Sequence, residues 1–381
     1  MTMSEIPYWI GLTQLNGWKI EKINKLIVNI IHDNKISLEE FFSLSLTEWN
    51  EKYLLQENDI EGLLNLKKEI PNFSFLTEEL LSQGFEIITI NSEEYSATLK
   101  NNLKLKHSPP VLYVKGNKKI LNEKSIAIVG SRDASEISLK FTDNIAKLAS
   151  EQFKVVVSGF AKGVDRQALD SAIKYIGHSV IVLPQGVLTF SSGIRQYYQE
   201  IVRGDLLVLS TFFPKAPWSV QLAMARNPII YGLADEIYVA QSDEKGGTWA
   251  GVSDGLRKGR TIYVRYPEQE EQNANRKLIE KGAIAVDFDG KIKEGQLNDI
   301  SKLDKEEEIK SIIYGLLKGK ELTSAEIIKR TNIDWKPKKM SDFLKSLNDI
   351  QEIKGKRIKY RYKTEDEPQL FIGEPQEKYG K

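Results

Sequence analysis

Apolar residues in the first 85 positions recur every three to four residues, as in KINKLIVNIIHD, SLEEFFSLSLTEWNEKYL and DIEGLLNLKKEI. This spacing predicts helices, with breaks at Gly17, Asn34 and Pro71. The pattern changes over residues 86–116 to short extended runs, FEIITI and VLYVKG, separated by turn-forming prolines. We therefore predict a small helical domain at 1–85, of the SAM or helix-hairpin-helix type, followed by a different domain from residue 86.

Strand-like and helix-like segments alternate between residues 125 and 287. The predicted strands are apolar throughout, as expected of strands buried on both faces: SIAIV, KVVVS, SVIVL, LLVLS, EIYVA and TIYVR. Amphipathic segments lie between them, for example at 136–151, 165–176 and 273–283. The alternation predicts an α/β domain over 86–287 with a doubly wound parallel sheet, whose ligand should bind at the carboxyl ends of the strands.

The last part of the chain differs again in pattern and charge. Residues 288–305 are polar and rich in turn formers, which predicts a linker. Residues 306–381 show three short amphipathic segments, the second opened by a Thr-Ser-Ala-Glu capping pattern, and then an alternating segment with a glycine. Three helices followed by a hairpin is the order of elements in a winged helix, so we predict a winged-helix-like domain here.

The predicted hairpin is strongly basic. Residues 329–363 hold twelve Lys and Arg residues against four acidic ones. Six of the basic residues alternate with tyrosines near the hairpin: Lys354, Lys356, Arg357, Lys359, Arg361 and Lys363. This concentration is typical of a surface for nucleic acid or an acidic partner, but a charged edge ribbon can also serve only to discourage aggregation. The sequence leaves both interpretations open.

Composition narrows the possible classes of protein. The chain has 54 basic and 53 acidic residues, so binding to nucleic acid would have to come from local clusters. It has no cysteine, which excludes disulfides, thiolate metal sites and a cysteine nucleophile, and fits a reducing cytoplasm. There is no apolar stretch of about 18 residues and no signal-like start, so we expect a cytoplasmic protein without a membrane span.

Three glycine-containing turns follow three of the predicted strands. The residues concerned are Gly130, Ser131 and Arg132; Ser158, Gly159, Lys162 and Gly163; and Lys245, Gly246, Gly247 and Thr248. Main-chain N–H groups at such turns, together with nearby cations, favour binding of a phosphate. The spacing is neither GxGxxG nor GxxxxGK[ST], and glycines are also needed simply to make tight turns.

No catalytic or metal-binding motif is apparent. The three histidines lie far apart in the sequence, and neither a GxSxG nor an HExxH motif occurs. Asp165 could act as a base, but its place at the start of a predicted helix favours capping of the preceding turn. We therefore expect a binding protein with no catalytic residue, no metal and no cofactor.

Four segments in order, IAIVGSRDAS, VVVSGFAKGVDRQAL, ARNPIIYGLADEIYVAQ and NANRKLIEKGA, resemble the DprA/Smf family of DNA-processing proteins. The resemblance implies an extended Rossmann sheet that binds single-stranded DNA in a positively charged pocket. It also implies a homodimer formed through the Rossmann domain and delivery of the strand to a RecA-type recombinase, in natural transformation or related recombination. By matching motif it adds Arg226 and Asn227 to the residues of the first two turns as candidates for DNA contact.

The chain departs from the family pattern at two places that bear on the ligand. Pro228 stands where the family usually has an arginine, and the third turn, Lys245 to Trp249, replaces a Ser-Gly-Ser-Leu-like turn. A role in transformation and a role in genome defence both remain open, and we hypothesise that Trp249 offers a face on which a base can stack. The alternative function is a nucleotide-binding sensor or hydrolase of the lonely-guy or SLOG-like superfamily, although the glutamate that hydrolysis needs is absent after Gly247.

Overall fold

The computed structural model describes residues 3–293, 309–331, 333, 335–347, 349–353 and 358–362. The chain forms two compact units, 1–292 and 293–381. The helices of the first unit are α1 Ile6–Leu12, α2 Ile20–Val28, α3 Leu38–Ser43, α4 Leu46–Glu51, α5 Glu57–Ser82, α6 Ala97–His107, α7 Glu136–Glu151, α8 Val164–Lys174, α9 Ser191–Gln196, α10 Tyr198–Arg203, α11 Val220–Ala225, α12 Asn227–Leu233, α13 Gly247–Arg257 and α14 Asn275–Glu280. Its strands are β1 Glu86–Thr89, β2 Val111–Lys115, β3 Ser125–Val129, β4 Val155–Ser158, β5 Ser179–Val182, β6 Leu206–Ser210, β7 Glu236–Val239, β8 Ile262–Arg265 and β9 Ile284–Val286.

The nine strands of the first unit form one sheet in the order β1-β2-β6-β5-β4-β3-β7-β8-β9. The seven strands from β6 to β9 are parallel, and β1 and β2 are joined to this sheet in antiparallel pairings. The chain runs outward from β3 to β6 and then returns to the other side of β3 with β7. This reversal opens a crevice outside the carboxyl ends of β3 and β7, where doubly wound sheets bind their ligands.

Helices cover both faces of the sheet, which explains the apolar strands. On one face Phe141 and Ile145 of α7 and Ala168 of α8 pack against Ile126 and Ile128 of β3. The other face shares a core with the N-terminal helices and α12. The predicted α/β doubly wound, Rossmann-like sheet is confirmed, and each of the six predicted parallel strands is present.

The N-terminal helices belong to the same compact unit as the sheet. Asn24 of α2 donates hydrogen bonds to the carbonyls of Leu105 and Ser108 at 2.7 and 2.8 Å, so α2 is tied to the end of α6. The predicted break at Pro71 is wrong, because α5 continues through it. Pro71 and Lys67, whose carbonyl loses its helical partner, both face solvent, where water can satisfy that carbonyl.

In the second unit the described residues form α15 at 309–317, α16 Ser324–Thr331, α17 Pro337–Ser346 and an antiparallel hairpin of β10 Ile350–Ile353 and β11 Lys359–Tyr362. The predicted capping is confirmed, since Thr323 Oγ1 accepts from the Glu326 N–H at 3.3 Å and the Glu326 carboxylate accepts from the Thr323 N–H at 2.8 Å. The elements occur in the expected order, and their assignment as a winged helix stays a prediction.

Candidate functional site

A cavity of about 380 Å³ lies at the crevice between β3 and β7. Nine of the thirteen residues predicted at the sheet edge line it: Gly130, Ser131, Arg132, Arg226, Asn227, Lys245, Gly246, Gly247 and Thr248. They come from the turn after β3, the junction of α11 and α12, and the turn that begins α13. The parallel sheet thus brings together residues that are more than 100 positions apart in the sequence. We call this space the switch cavity.

The first turn is held in place by the segment after β7. The Ser131 N–H donates to the Gln241 carbonyl at 2.9 Å, and the Ser131 hydroxyl donates to Asp243 at 3.3 Å. These bonds leave the Arg132 side chain exposed at the mouth of the cavity. The arginine can therefore meet an anion in solvent without losing an internal partner.

The second turn packs closely beneath the first. Gly163 has a φ of +83°, and a β-carbon there would lie 2.5 Å from the carbonyl oxygens of Ser131 and Arg132, so a side chain would clash with the first turn. Lys162 is exposed and its ammonium lies 3.5 Å from the Asp133 carboxylate. Lys162 and Gly163 do not line the switch cavity but lie beside it.

Ser158 and Gly159, also predicted to contact the ligand, are buried. The Ser158 hydroxyl donates to the Ile128 carbonyl at 2.8 Å, which ties β4 to β3. A β-carbon at Gly159 would lie 2.0 Å from Nη1 of Arg226, so the glycine makes room for that guanidinium. Neither residue presents a group to the switch cavity.

Arg226 forms the floor of the cavity and is only 5% exposed. Its guanidinium donates to the Val182 carbonyl at 2.9 Å and to the Asp165 carboxylate at 3.0 Å. Burial lowers the pKa of Arg226 and raises the pKa of Asp165, although each is partly compensated by the other. The backbone N–H of Ala161 also lowers the pKa of Asp165, and the predicted capping of the second turn by Asp165 stays a prediction.

The third turn leads into α13. Lys245 is exposed, and the first N–H groups of α13, at Gly247 and Thr248, border the cavity beside Asn227. Such an N-terminus favours an anion. Trp249 is partly buried against the core, with the Lys281 ammonium 5.0 Å from its ring centre, and it does not line the cavity. Packing therefore accounts for Trp249 better than stacking with a base.

The charges around the switch cavity are balanced. Three basic residues line it, Arg132, Arg226 and Lys245, and three acidic ones, Asp133, Asp165 and Asp243. The positively charged pocket that the family resemblance implies is thus not found in this cavity taken by itself. The exposed cations lie on its rim.

A second concavity of about 250 Å³, the Trp218 cleft, adjoins the switch cavity and shares Arg132 and Arg226 with it. It is lined by Arg132, Phe160, Ala161, Lys162, Pro184, Gln185, Phe190, Trp218, Ala223 and Arg226. Sequence reasoning missed Trp218. The available signal was its place in the loop after β6, because every loop that follows a parallel strand reaches the same edge of the sheet.

In the C-terminal hairpin, Lys359 and Arg361 are exposed while Tyr360, between them, is buried. Arg361 donates to the Gln351 side-chain carbonyl at 3.0 Å across the hairpin. The other predicted basic residues, Lys354, Lys356, Arg357 and Lys363, lie outside the described residues. Among the residues that the structure does describe, no group of three or more potential metal ligands is close together, and no helix is long and apolar enough to cross a membrane.

Comparisons with known proteins agree with this architecture. A model of the family described as DNA recombination-mediator protein A matches residues 86–295. The X-ray structure of DNA processing protein A from Streptococcus pneumoniae superposes with a TM-score of 0.60 at 24% identity, covering 75% of this chain and 95% of that chain. This likeness supports the fold.

Two curated relatives are similar in sequence. The DNA processing protein DprA of Streptococcus pneumoniae (strain ATCC BAA-255 / R6) is 31% identical over 158 residues, 41% of this chain and 55% of that protein. DprA of Bacillus subtilis (strain 168) is 27% identical over 228 residues, 58% of this chain and 76% of that protein. The match thus spans about half the length of the first relative and three quarters of the second. Because the family match covers more than half of the chain and the whole parallel sheet, this protein belongs to the DprA/Smf family of DNA-processing proteins.

Proposed function

We propose that the protein binds single-stranded DNA along the carboxyl edge of its parallel sheet and holds the phosphates with Arg132, Lys162 and Lys245. One observation carries the proposal: these three exposed cations come from three different turns and border the adjoining concavities at one edge. The glycine turns between them and the start of α13 bring N–H groups to the same edge.

Recognition of a DNA backbone fits a chain with a net charge of only +1. Affinity for phosphates depends on the local cations that displace counterions, so three well-placed side chains contribute whatever the overall charge is. In the floor of the switch cavity Arg226 and Asp165 neutralise each other, so contact with the strand falls to Arg132 and Lys245 on the rim, beside the acidic Asp133 and Asp243.

The finer parts of the proposal concern partners. We propose that the protein acts as a homodimer and passes the strand to a RecA-type recombinase in the cytoplasm, by binding and without catalysis. The family description as a recombination mediator supports this role. The basic hairpin, with Lys359 and Arg361 exposed, is proposed as an accessory surface of a winged-helix-like domain.

The test is the salt dependence of binding to a fluorescent oligo-dT. Arg132→Ala should weaken binding and lower the slope of log affinity against log salt by about 0.7, the value for one phosphate contact on a single strand. Lys162→Ala should act in the same direction. Lys124→Ala is the matched control, because Lys124 is 80% exposed but precedes β3 and so lies at the opposite edge of the sheet. Equal slopes for wild type, Arg132→Ala and Lys162→Ala would refute the proposed site.

A second candidate function, binding of a small nucleotide, is favoured by two buried polar atoms. The Tyr231 hydroxyl and Nε of Arg226 have no hydrogen-bond partner among the described residues, and both residues line the switch cavity. Both atoms are shielded from solvent, so a ligand in the cavity would satisfy them only if the neighbouring groups moved. Titration with a panel of mononucleotides decides between single-stranded DNA and a small nucleotide as the ligand. Tight binding of a mononucleotide without binding of oligo-dT would favour the small nucleotide.

A further inference from the structure

We infer that the Trp218 cleft binds an unpaired nucleobase, which stacks on the Trp218 indole while the neighbouring phosphates lie on Arg132 and Lys162. This inference rests on the proposed single-strand function and deepens it, because it makes the exposed base, and not only the backbone, part of what the protein recognises.

Trp218 differs from the other tryptophans of the chain in its exposure. All six lie among the described residues, and Trp218 is the most exposed of them, with 51% of its surface accessible. Trp9 and Trp49 are buried in the core, and Trp249 carries the Lys281 ammonium over its ring. No described residue forms an aromatic pair or a cation–π contact with Trp218. A large apolar ring left uncovered beside a concave surface is available to a ligand that enters the cleft.

The backbone that presents Trp218 is well supported. The Gly186 N–H donates to the Ala216 carbonyl at 2.9 Å, and the Leu188 N–H donates to the Pro214 carbonyl at 3.0 Å. These bonds fasten the loop after β6 to the loop after β5. Trp218 therefore follows directly after a segment, 214–216, that these bonds hold against the neighbouring loop.

Phe160, which also lines the cleft, is held by its neighbours. The Phe160 ring meets the Phe190 ring edge to face at 4.9 Å, and the Arg166 guanidinium lies 3.8 Å above its centre. These contacts hold the Phe160 ring in place, so the cleft stays open. At about 250 Å³ the cleft is smaller than the roughly 300–1,000 Å³ of pockets that enclose whole small molecules, which suits one part of a longer ligand.

The charge of the cleft selects the kind of ligand. Arg132 and Lys162 line it with exposed cationic side chains, Arg226 lies buried against Asp165, and none of the described residues that line it is acidic. The switch cavity has a balanced lining by contrast. An exposed aromatic ring flanked by cations is the combination that single-strand binding proteins use, with bases stacked on the ring and phosphates on the charges.

Further exposed apolar residues continue from Trp218 along the rim. Val220 is 65% exposed and Met224 is 46% exposed, and both border the switch cavity. A strand that crosses from the cleft to the cavity would meet apolar surface suited to bases on this side and the cations Arg132 and Lys162 on the other. In duplex DNA the bases are paired and stacked on each other, so they cannot reach Trp218 without the energetic cost of unpairing.

The experiment compares an oligo-dT with an abasic oligonucleotide of the same length, which keeps the phosphates and lacks the bases. The wild type should bind oligo-dT about tenfold more tightly, as expected for one stacked base. Trp218→Ala should weaken binding of oligo-dT about tenfold and leave the abasic affinity unchanged. Trp218→Phe should retain most of the preference, because it keeps an aromatic ring.

Tyr198→Ala is the matched control, since Tyr198 is 54% exposed and lines neither concavity. A Trp218→Ala variant that still prefers oligo-dT as the wild type does would overturn the inference, as would an equal loss for both oligonucleotides. If either of these outcomes occurs while Arg132→Ala still lowers the salt slope, the inference of a base subsite is wrong and the strand-binding function stands. If Arg132→Ala has no effect either, the function itself fails.

Discussion

The first unit buries two arginines against carboxylates, one at the candidate site and one away from it. Arg226 pairs with Asp165 beneath the switch cavity, and Arg265, the last residue of β8, pairs with Glu271. Their side chains are 5% and 2% exposed. The two pairs are alike in burial, but their hydrogen bonding differs.

Each of the three guanidinium nitrogens of Arg265 donates a hydrogen bond. Its Nε donates to the Ala240 carbonyl at 3.0 Å, Nη2 donates to the Ser138 hydroxyl at 3.0 Å, and Nη1 donates to Glu271 at 2.7 Å. These bonds lower the pKa of the Glu271 carboxyl, chiefly through the hydrogen bond to Arg265. The Arg265 guanidinium connects the ends of β7 and β8 with α7, so its role is structural.

Arg226 is incompletely bonded, because its Nε has no partner among the described residues. Burial raises the pKa of its partner Asp165 in spite of the ion pair. A buried, incompletely satisfied pair beside a cavity makes Arg226 and Asp165 candidates for a functional role, whereas the pair of Arg265 and Glu271 is explained by its structural bonds. Burial alone therefore does not identify the role of a charged residue.

The largest expected effect is the loss of Arg265. Arg265→Met should lower the free energy of unfolding by about 3–5 kcal/mol, because it leaves the partly buried Glu271 carboxylate without its cation and breaks the bonds to Ala240 and Ser138. Arg226→Met should cost less, about 1–3 kcal/mol, since Asp165 can take up a proton more easily. Urea denaturation at pH 7 measures both values. An Arg226→Met variant that is the less stable of the two would reverse the comparison.

The pH dependence of stability should separate the two carboxyls. Folding lowers the pKa of Glu271, so its ionised carboxylate contributes to the free energy of unfolding above the ordinary carboxyl pKa of about 4.3. This contribution is lost as the pH falls through the lowered pKa. Folding raises the pKa of Asp165, so its protonated carboxyl contributes to the free energy of unfolding below about pH 3.9. This contribution is lost as the pH rises through the raised pKa.

Two variants test this difference. The stability gap between wild type and Glu271→Gln should widen as the pH rises from about 3 to 7, and the gap for Asp165→Asn should narrow over the same range. The measurement is the free energy of unfolding in urea at several pH values. Parallel trends for the two variants would show that the pairs do not differ as described.

The smallest effect on stability is expected at the rim of the site. The Lys162 and Asp133 side chains are 84% and 90% exposed and lie 3.5 Å apart, so the pair should contribute almost nothing to folding. Lys162→Ala should leave the thermal midpoint within about 1 °C of the wild type, although we expect it to weaken DNA binding. A clear drop in the midpoint would mean that this rim cation is structural as well.

Much of the fold could be predicted because its signals are local. Residues 125–129 and 206–210 match the predicted strands SIAIV and LLVLS, since runs of β-branched and aliphatic residues specify strands buried on both faces. The break at Pro71 could not be judged locally, because it depends on whether solvent reaches the carbonyl of Lys67. The short strand β9 was not predicted, since three residues give too little pattern.

The candidate site was predicted only in part. The turn residues Gly130, Arg132 and Gly247 carry sequence signals and do line the switch cavity. The buried positions of Ser158 and Arg226 could not be deduced, because a serine or an arginine after an apolar run gives no indication of its accessibility. Trp218 was missed for the opposite reason, since a tryptophan in a loop usually packs into the core.

The sequence by itself determined the parallel sheet, the family and the three glycine turns, because these depend on residue type and on spacing along the chain. The tertiary structure alone decided which charges face solvent. The order of strands places Arg226 against Asp165, at 3.0 Å, and leaves Arg132 and Lys162 exposed beside Trp218. Accessibility and electrostatic pairing depend on residues far apart in the sequence, which the parallel sheet brings together at the carboxyl ends of its strands.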